Sequence, residues 1–344
     1  MMAPHDGLER RVLSALNGNP GRIAVVLGGC GSGRTTLLHA LSDRLGRPSC
    51  QYLDIERSAS TPERFQRAVA AVVPFRPAPP QPEPASAREA FDRTLRLLTR
   101  PAGERPATFL LDEVLELRTF ESFPGLRHVL REAGARFEVI HLPALSPSEV
   151  SAMLPPMGDT PIEDRDFLGR TIQALTDGRA AYVRALGDAS AAMSSRGGDP
   201  ISALTALLTS DGGLTAWCAY RYELRLHRAR GYGALKAILE ILAEEEPLTL
   251  TEIAVRLLRT PGSTKDYLSW LEDVDLIVSR QKRYSFTDPL MRLWVRLHCR
   301  PVPPSVDEVA HEVQAYAAVR LPETEPATAR VAAERRAVGI IEID

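Results

Sequence analysis

The chain has 344 residues with a formal net charge of −2; 44% of residues are hydrophobic and 25% charged, the balance of an ordinary globular protein of two or three domains. Near-neutral charge excludes a globally basic nucleic-acid binder, so any such surface must be local. The first residues, MMAPHDGLERR, lack the apolar run of a secretion signal, and no stretch approaches 18 uncharged apolar residues, so a cytoplasmic protein with no membrane segment is expected.

Residues 7–16 read as a short helix ending in the turn Asn17-Gly18-Asn19-Pro20-Gly21. An apolar strand, 23–27, then enters Gly28-Gly29-Cys30-Gly31-Ser32-Gly33-Arg34-Thr35, which fits the phosphate-binding spacing G-x-x-x-x-G-K-[ST] at every position but one. Glycines there let backbone N–H groups converge on a β-phosphate, and the helix that follows, running to Leu45, aims its positive dipole end at the same anion. The loop therefore reads as a nucleotide site for ATP with Mg²⁺. Thr35 offers its hydroxyl to the metal, the cation at 34 reaches the phosphates, and Thr36 continues the helix from the loop. The exception is Arg34, where lysine is expected. Only Lys236, Lys265 and Lys282 are lysines among 42 basic residues, so a lysine-poor composition offers one route to arginine there without a new role.

A second strand is expected at 50–55, then a helix opened by Thr61 as N-cap with Pro62 at the first helical position, running to 73. A proline-rich loop fills 74–84 and a helix 87–99. Strand three, 107–111, delivers Asp112 and Glu113 at its C-terminal edge, where doubly wound sheets place ligands. Asp112 would hold the magnesium shell and Glu113 would orient and deprotonate an attacking water. A helix near 125–133 and a strand at 137–142 follow; strands alternating with helices argue a parallel sheet sandwiched by helices. Residues 148–194 read as helical, broken at Asp177-Gly178. Four cysteines, Cys30, Cys50, Cys218 and Cys299, show no zinc spacing and read as reduced thiols.

After a linker at 195–200 the chain is helical. Helices at 232–246, 250–258 and 263–271 precede a hairpin over 277–286 with a polar, basic tip, and three helices followed by a hairpin is the winged-helix order. Arg256, Arg259, Lys265, Arg280, Lys282 and Arg283 give those elements a local positive surface for duplex DNA. Acidic Glu272, Asp273 and Asp275 beside them fit a protein-docking wing equally well, and both readings stand. Residues 323–344 read as a weakly ordered tail with a helix near 327–337.

The chain resembles AAA+/STAND-type P-loop ATPases of the bacterial and archaeal "archaeal ATPase" group, relatives of origin-recognition and helicase-loading ATPases. The residues that carry the resemblance are GGCGSGRTT at 28–36, FLLDE at 109–113, LPALSPSEV at 142–150, LTDGRAAYVRAL at 175–186, LTLTEIAVRL at 248–257 and YSFTDPLMRLWVRLH at 284–298. It implies a P-loop core over 1–147, a helical lid over 148–194, a helical linker over 195–231 and a winged helix over 232–322, with ATP between sheet and lid. Gly28, Gly33, Arg34 and Thr35 match the Walker A residues and Asp112 and Glu113 the Walker B residues; Arg179 lies where related ATPases carry a lid arginine called sensor 2. Two departures stand out. Arginine replaces the Walker A lysine, and strand four, RFEVIHLP, offers His141 rather than Ser, Thr or Asn at the sensor 1 position. Both point to slow hydrolysis or none. The expectation is a nucleotide-dependent switch reporting through a winged helix to DNA or a partner; the alternative is a non-hydrolysing nucleotide-binding scaffold. Oligomeric assembly is left open.

Overall fold

The structure is a computed structural model that describes residues 6–18, 22–29, 31–46, 49–58, 61–71, 82–99, 108–113, 137–155, 162–194, 199–229 and 232–321. The expected helices near 125–133 and 327–337, Cys30 and most of the proline-rich loop lie outside these residues. The chain divides into two compact units, Met1–Pro143 and Ala144–Asp344.

The first unit contains α1 (Asp6–Leu16), β1 (Ile23–Leu27), α2 (Arg34–Leu45), β2 (Cys50–Asp54), α3 (Ile55–Ser58), α4 (Pro62–Ala71), α5 (Ala87–Thr99), β3 (Thr108–Asp112) and β4 (Phe137–His141). Its described strands form two parallel pairs: β1 with β4, Ile23 opposite Phe137 through Leu27 opposite His141, and β2 with β3, Cys50 opposite Thr108 through Asp54 opposite Asp112. Parallel neighbours require a crossover between them, which the intervening helices supply. Thr61 caps α4, its hydroxyl accepting the Arg64 N–H at 3.2 Å, as the sequence predicts. The second strand stops one residue short of expectation because the Asp54 carboxylate accepts the Arg57 N–H at 3.2 Å and starts the short helix α3. Leu37 and Leu41 of α2 pack with Val12, Leu110, Ile140 and Leu142, and this cluster fixes the helix against strands of both pairs.

The second unit contains α6 (Pro147–Met153), α7 (Ile162–Thr176), α8 (Ala180–Ser194), α9 (Pro200–Leu208), α10 (Gly213–Arg228), α11 (Tyr232–Glu244), β5 (Leu248–Thr249), α12 (Leu250–Leu257), α13 (Pro261–Asp273), β6 (Ile277–Arg280), β7 (Arg283–Phe286), α14 (Pro289–His298) and α15 (Val306–Arg320). The predicted break at Asp177-Gly178 is there, with φ of 54° and 62°. A Cβ on Gly178 would stand 2.5 Å from the Leu145 carbonyl oxygen, and the Gly178 carbonyl accepts the Leu145 N–H at 2.8 Å. The predicted hairpin is β6–β7, joined by Gln281 and Lys282, both with positive φ. That is the two-residue turn whose twist suits antiparallel strands. β5, too short for any periodicity to reveal, adds to β7 and completes an antiparallel sheet in the order β5-β7-β6.

One hydrophobic core runs through this unit, taking in Leu145, Ile172, Tyr182, Leu239, Leu268 and Val313. A polar network crosses it. The Tyr182 hydroxyl donates to Asp288 Oδ2 at 2.7 Å, while Oδ1 accepts the N–H groups of Leu290 and Met291 and caps α14. Arg179 lies 3.8 Å from the same carboxylate and donates to the Thr287 carbonyl. Burial and the adjacent Asp288 charge push the Tyr182 hydroxyl pKa well up, so it stays a donor. No helix of the described residues is long and apolar enough to cross a membrane.

Candidate nucleotide-binding site

The loop between β1 and α2 has the backbone its glycines foretell. Gly31 and Gly33 have φ of 78° and 97°, a region that L side chains disfavour. A Cβ on Gly28 would meet Ser32 Oγ at 2.5 Å and Leu142 Cβ at 3.1 Å, so the turn closes only around glycine. The Ser32 N–H donates to the Gly29 carbonyl at 3.1 Å, and the buried Ser32 hydroxyl has no hydrogen-bond partner among the described residues. Gly33 is the N-cap of α2 and supplies no side-chain cap. Among the described residues no N-cap side chain takes up the first-turn N–H groups of this twelve-residue helix, and N–H groups at such a helix start suit a phosphate.

Chain elements far apart in sequence meet here. Thr35, on the first turn of α2, donates its hydroxyl to Asp112 Oδ2 at 2.7 Å. Asp112 is the last residue of β3 and only 7% exposed. Its Oδ1 accepts the N–H of Glu113 at 3.0 Å, and Glu113 itself turns the chain with φ of 52°. A non-glycine residue in that region is uncommon and strained, and such strain collects at functional sites. The Arg34 guanidinium makes an ion pair with the Glu113 carboxylate at 3.5 Å, both side chains about a third exposed. Thr36 is exposed on the first turn of α2.

Tyr52 was not singled out in the sequence. Its hydroxyl donates to Asp112 Oδ2 at 3.0 Å, from β2, the strand beside β3. Burial, then the neighbouring charges of Asp112 and Asp54, push its pKa up and keep the proton on. The His39 ring lies 4.4 Å from the Tyr52 ring, one helical turn after Thr35 on α2. A lone tyrosine in a strand carries no spacing that could have marked it.

Magnesium takes few protein oxygens and keeps several waters, completing its shell with phosphate. Thr35 and Asp112, two hard oxygen donors in contact, suit that demand. Among the described residues no group of three or more His, Cys, Asp or Glu offers a different metal cage. Bound there, the ion would neutralise charge on the phosphates. His141, on β4, pairs with Leu27 across the sheet and is exposed.

The remaining predicted residues belong to the second unit. Arg179 is engaged by Asp288 and Thr287 as described above. Of the six basic residues, Arg256 pairs with Glu245 at 2.6 Å and Arg283 with Glu252 at 3.8 Å. Arg259, Lys265, Arg280 and Lys282 are exposed and make no ion pair among the described residues. Val255 and Leu258, neighbours of Arg256 and Arg259 in sequence, are 67% and 89% exposed. Among the described residues Cys50, Cys218 and Cys299 are free cysteines.

Comparison with solved structures returns a Walker-type ATPase of Pyrococcus abyssi, 17% identical, with a TM-score of 0.58 over 85% of this chain and 95% of that one. At that identity the likeness shows a shared fold: an α/β P-loop ATPase architecture with a parallel sheet and many helices. An Orc1 protein of Aeropyrum pernix, solved in complex with DNA, is 18% identical over 93% of this chain and 95% of its own, with a TM-score of 0.44. A RuvB variant of Thermotoga maritima is 14% identical over 87% of this chain and 96% of its own, with a TM-score of 0.41. Likeness that loose carries no argument about fold or function. No protein-family model and no curated protein matches the sequence.

Proposed function

We propose that the chain is an ATP-binding regulatory P-loop ATPase: a nucleotide-dependent switch with slow hydrolysis, coupled to a winged helix that contacts DNA or a protein partner. The observation that carries this reading is the 2.7 Å contact between Thr35 and Asp112. It joins the hydroxyl and the carboxylate that a magnesium nucleotide needs, at the mouth of a glycine loop with an uncapped helix start. Saturating ATP with Mg²⁺ should raise the thermal midpoint, since a ligand at 100 times its dissociation constant adds about 2.7 kcal/mol. Gly33→Val, which cannot hold the φ of 97°, and Thr35→Ala should each abolish the shift. An undiminished shift in both variants overturns the assignment.

Residues 232–321 support the winged-helix part through the order helix, short strand, helix, helix and hairpin, with the short strand pairing onto the hairpin. The unpaired cations Lys265, Arg280 and Lys282 favour duplex DNA as the partner. Binding of the full chain to duplex should fall with salt, each phosphate contact contributing about 0.9 to the slope of log K against log salt. Replacing these three by alanine should flatten the slope by about two to three units in an anisotropy titration. No binding to duplex at low salt leaves the wing as a protein-docking surface.

A further inference from the structure

Among the described residues Asp112 accepts three hydrogen bonds, and they are unequal in permanence. Oδ1 holds the backbone N–H of Glu113, a bond set by the turn itself. Oδ2 holds two hydroxyls, Thr35 at 2.7 Å and Tyr52 at 3.0 Å. Thr35 is the hydroxyl assigned above to the metal, and a hydroxyl whose lone pair faces a cation turns its proton wherever the remaining space allows. Tyr52 has no such second duty. Its ring is set in β2, with Tyr52 opposite Leu110 and Asp54 opposite Asp112, and the ring of His39 from α2 packs against it. The phenol therefore fixes Oδ2 independently of the loop.

We propose that Tyr52 is a positioning residue for the magnesium site, holding the Asp112 carboxylate through its second oxygen so that the remaining lone pairs face the metal and its waters. The proposal rests on the nucleotide reading above and adds to it a residue from a different strand. Hydrogen bonds to a metal-facing carboxylate orient it, and losing such an outer partner typically costs about 10–100-fold in metal affinity. The effect passes through Asp112 and should vanish when that carboxylate is gone.

The test is a titration of Mg²⁺ into the full chain at saturating ATP, read as the thermal midpoint, with ATP in EDTA as the metal-free arm. Tyr52→Phe keeps the ring and its packing on His39 but removes the hydroxyl. The half-saturating Mg²⁺ concentration should rise about 10–100-fold while the midpoint shift with ATP in EDTA stays that of the wild type. Any loss of basal stability appears equally in the EDTA arm and cancels. In an Asp112→Asn background, adding Tyr52→Phe should change the Mg²⁺ requirement no further. Equal Mg²⁺ requirements for wild type and Tyr52→Phe, or the full effect persisting in Asp112→Asn, overturn the proposal. A wild type that ATP does not stabilise under either condition overturns the nucleotide reading first, and this role with it.

Discussion

Replacing Asp288 by alanine is expected to cost the second unit about 3–5 kcal/mol, read by urea or thermal denaturation. The carboxylate is 3% exposed and serves three clients at once: the N-terminus of α14, the Tyr182 hydroxyl and the Arg179 guanidinium. Its removal strips a helix cap, leaves the fully buried Tyr182 hydroxyl with the Cys218 sulfur at 4.0 Å in place of a carboxylate, and takes the Asp288 charge away from Arg179, whose side chain is 12% exposed. A domain is stable by only about 5–15 kcal/mol, so a large share of the margin goes. Asp288→Asn keeps one oxygen for the cap and should lose less; the gap between the two variants reports the cap, while the loss that remains in Asn reports the charge beside Arg179 and the second oxygen that accepts from Tyr182. Equal, small losses in both variants would mean that the network adds nothing to stability.

Hydrolysis is where the second large effect is expected. A positioned general base contributes about 10²–10⁴-fold, so Glu113→Gln should lower the steady-state rate of ATP turnover by that factor while leaving the ATP-induced thermal shift intact. The wild-type rate itself should lie well below the usual enzyme range of about 1–10³ s⁻¹. The Arg34 guanidinium lies on the Glu113 carboxylate, 3.5 Å away, rather than standing clear of it. A planar fork can hold a carboxylate and a phosphate at once in ways that a compact ammonium does not. Arg34→Lys should therefore raise turnover, by about tenfold for each 1.4 kcal/mol of barrier removed. Turnover of tens per second in the wild type, or a Glu113→Gln variant as active as its parent, would overturn this account.

The loop and the end of β3 were legible because phosphate binding constrains backbone geometry. Glycines at 28, 31 and 33 have to be glycines, and an apolar strand ending in Asp112-Glu113 announces where its carboxylates go. Helix punctuation was legible for the same reason at Thr61-Pro62 and at Asp177-Gly178. The third donor on Asp112 was not, since Tyr52 reaches it only through the register of β2 on β3, which no local pattern encodes. Arg179 is a parallel case. The sequence places it after a helix break, but its partner Thr287 is 108 residues away. The helix α15 carries an explicit start signal in the sequence, Ser305 with Glu308 in a reciprocal cap. β5 could not have been read at all: two residues have no period.

The shared core of the second unit bears on how such a protein can be inherited. Leu145, Val150 and Ile172 belong to the same cluster as Leu268, Phe286 and Trp294, so one continuous apolar core links the helices after Pro143 to the hairpin near the far end. Recombination that exchanged the hairpin region alone, with a crossover near residue 200, would leave both halves of that cluster facing water. The cassette that keeps its core on exchange is the whole stretch from Ala144 to Leu321, whereas substitutions at exposed positions such as Leu258 and Lys282 leave that core untouched.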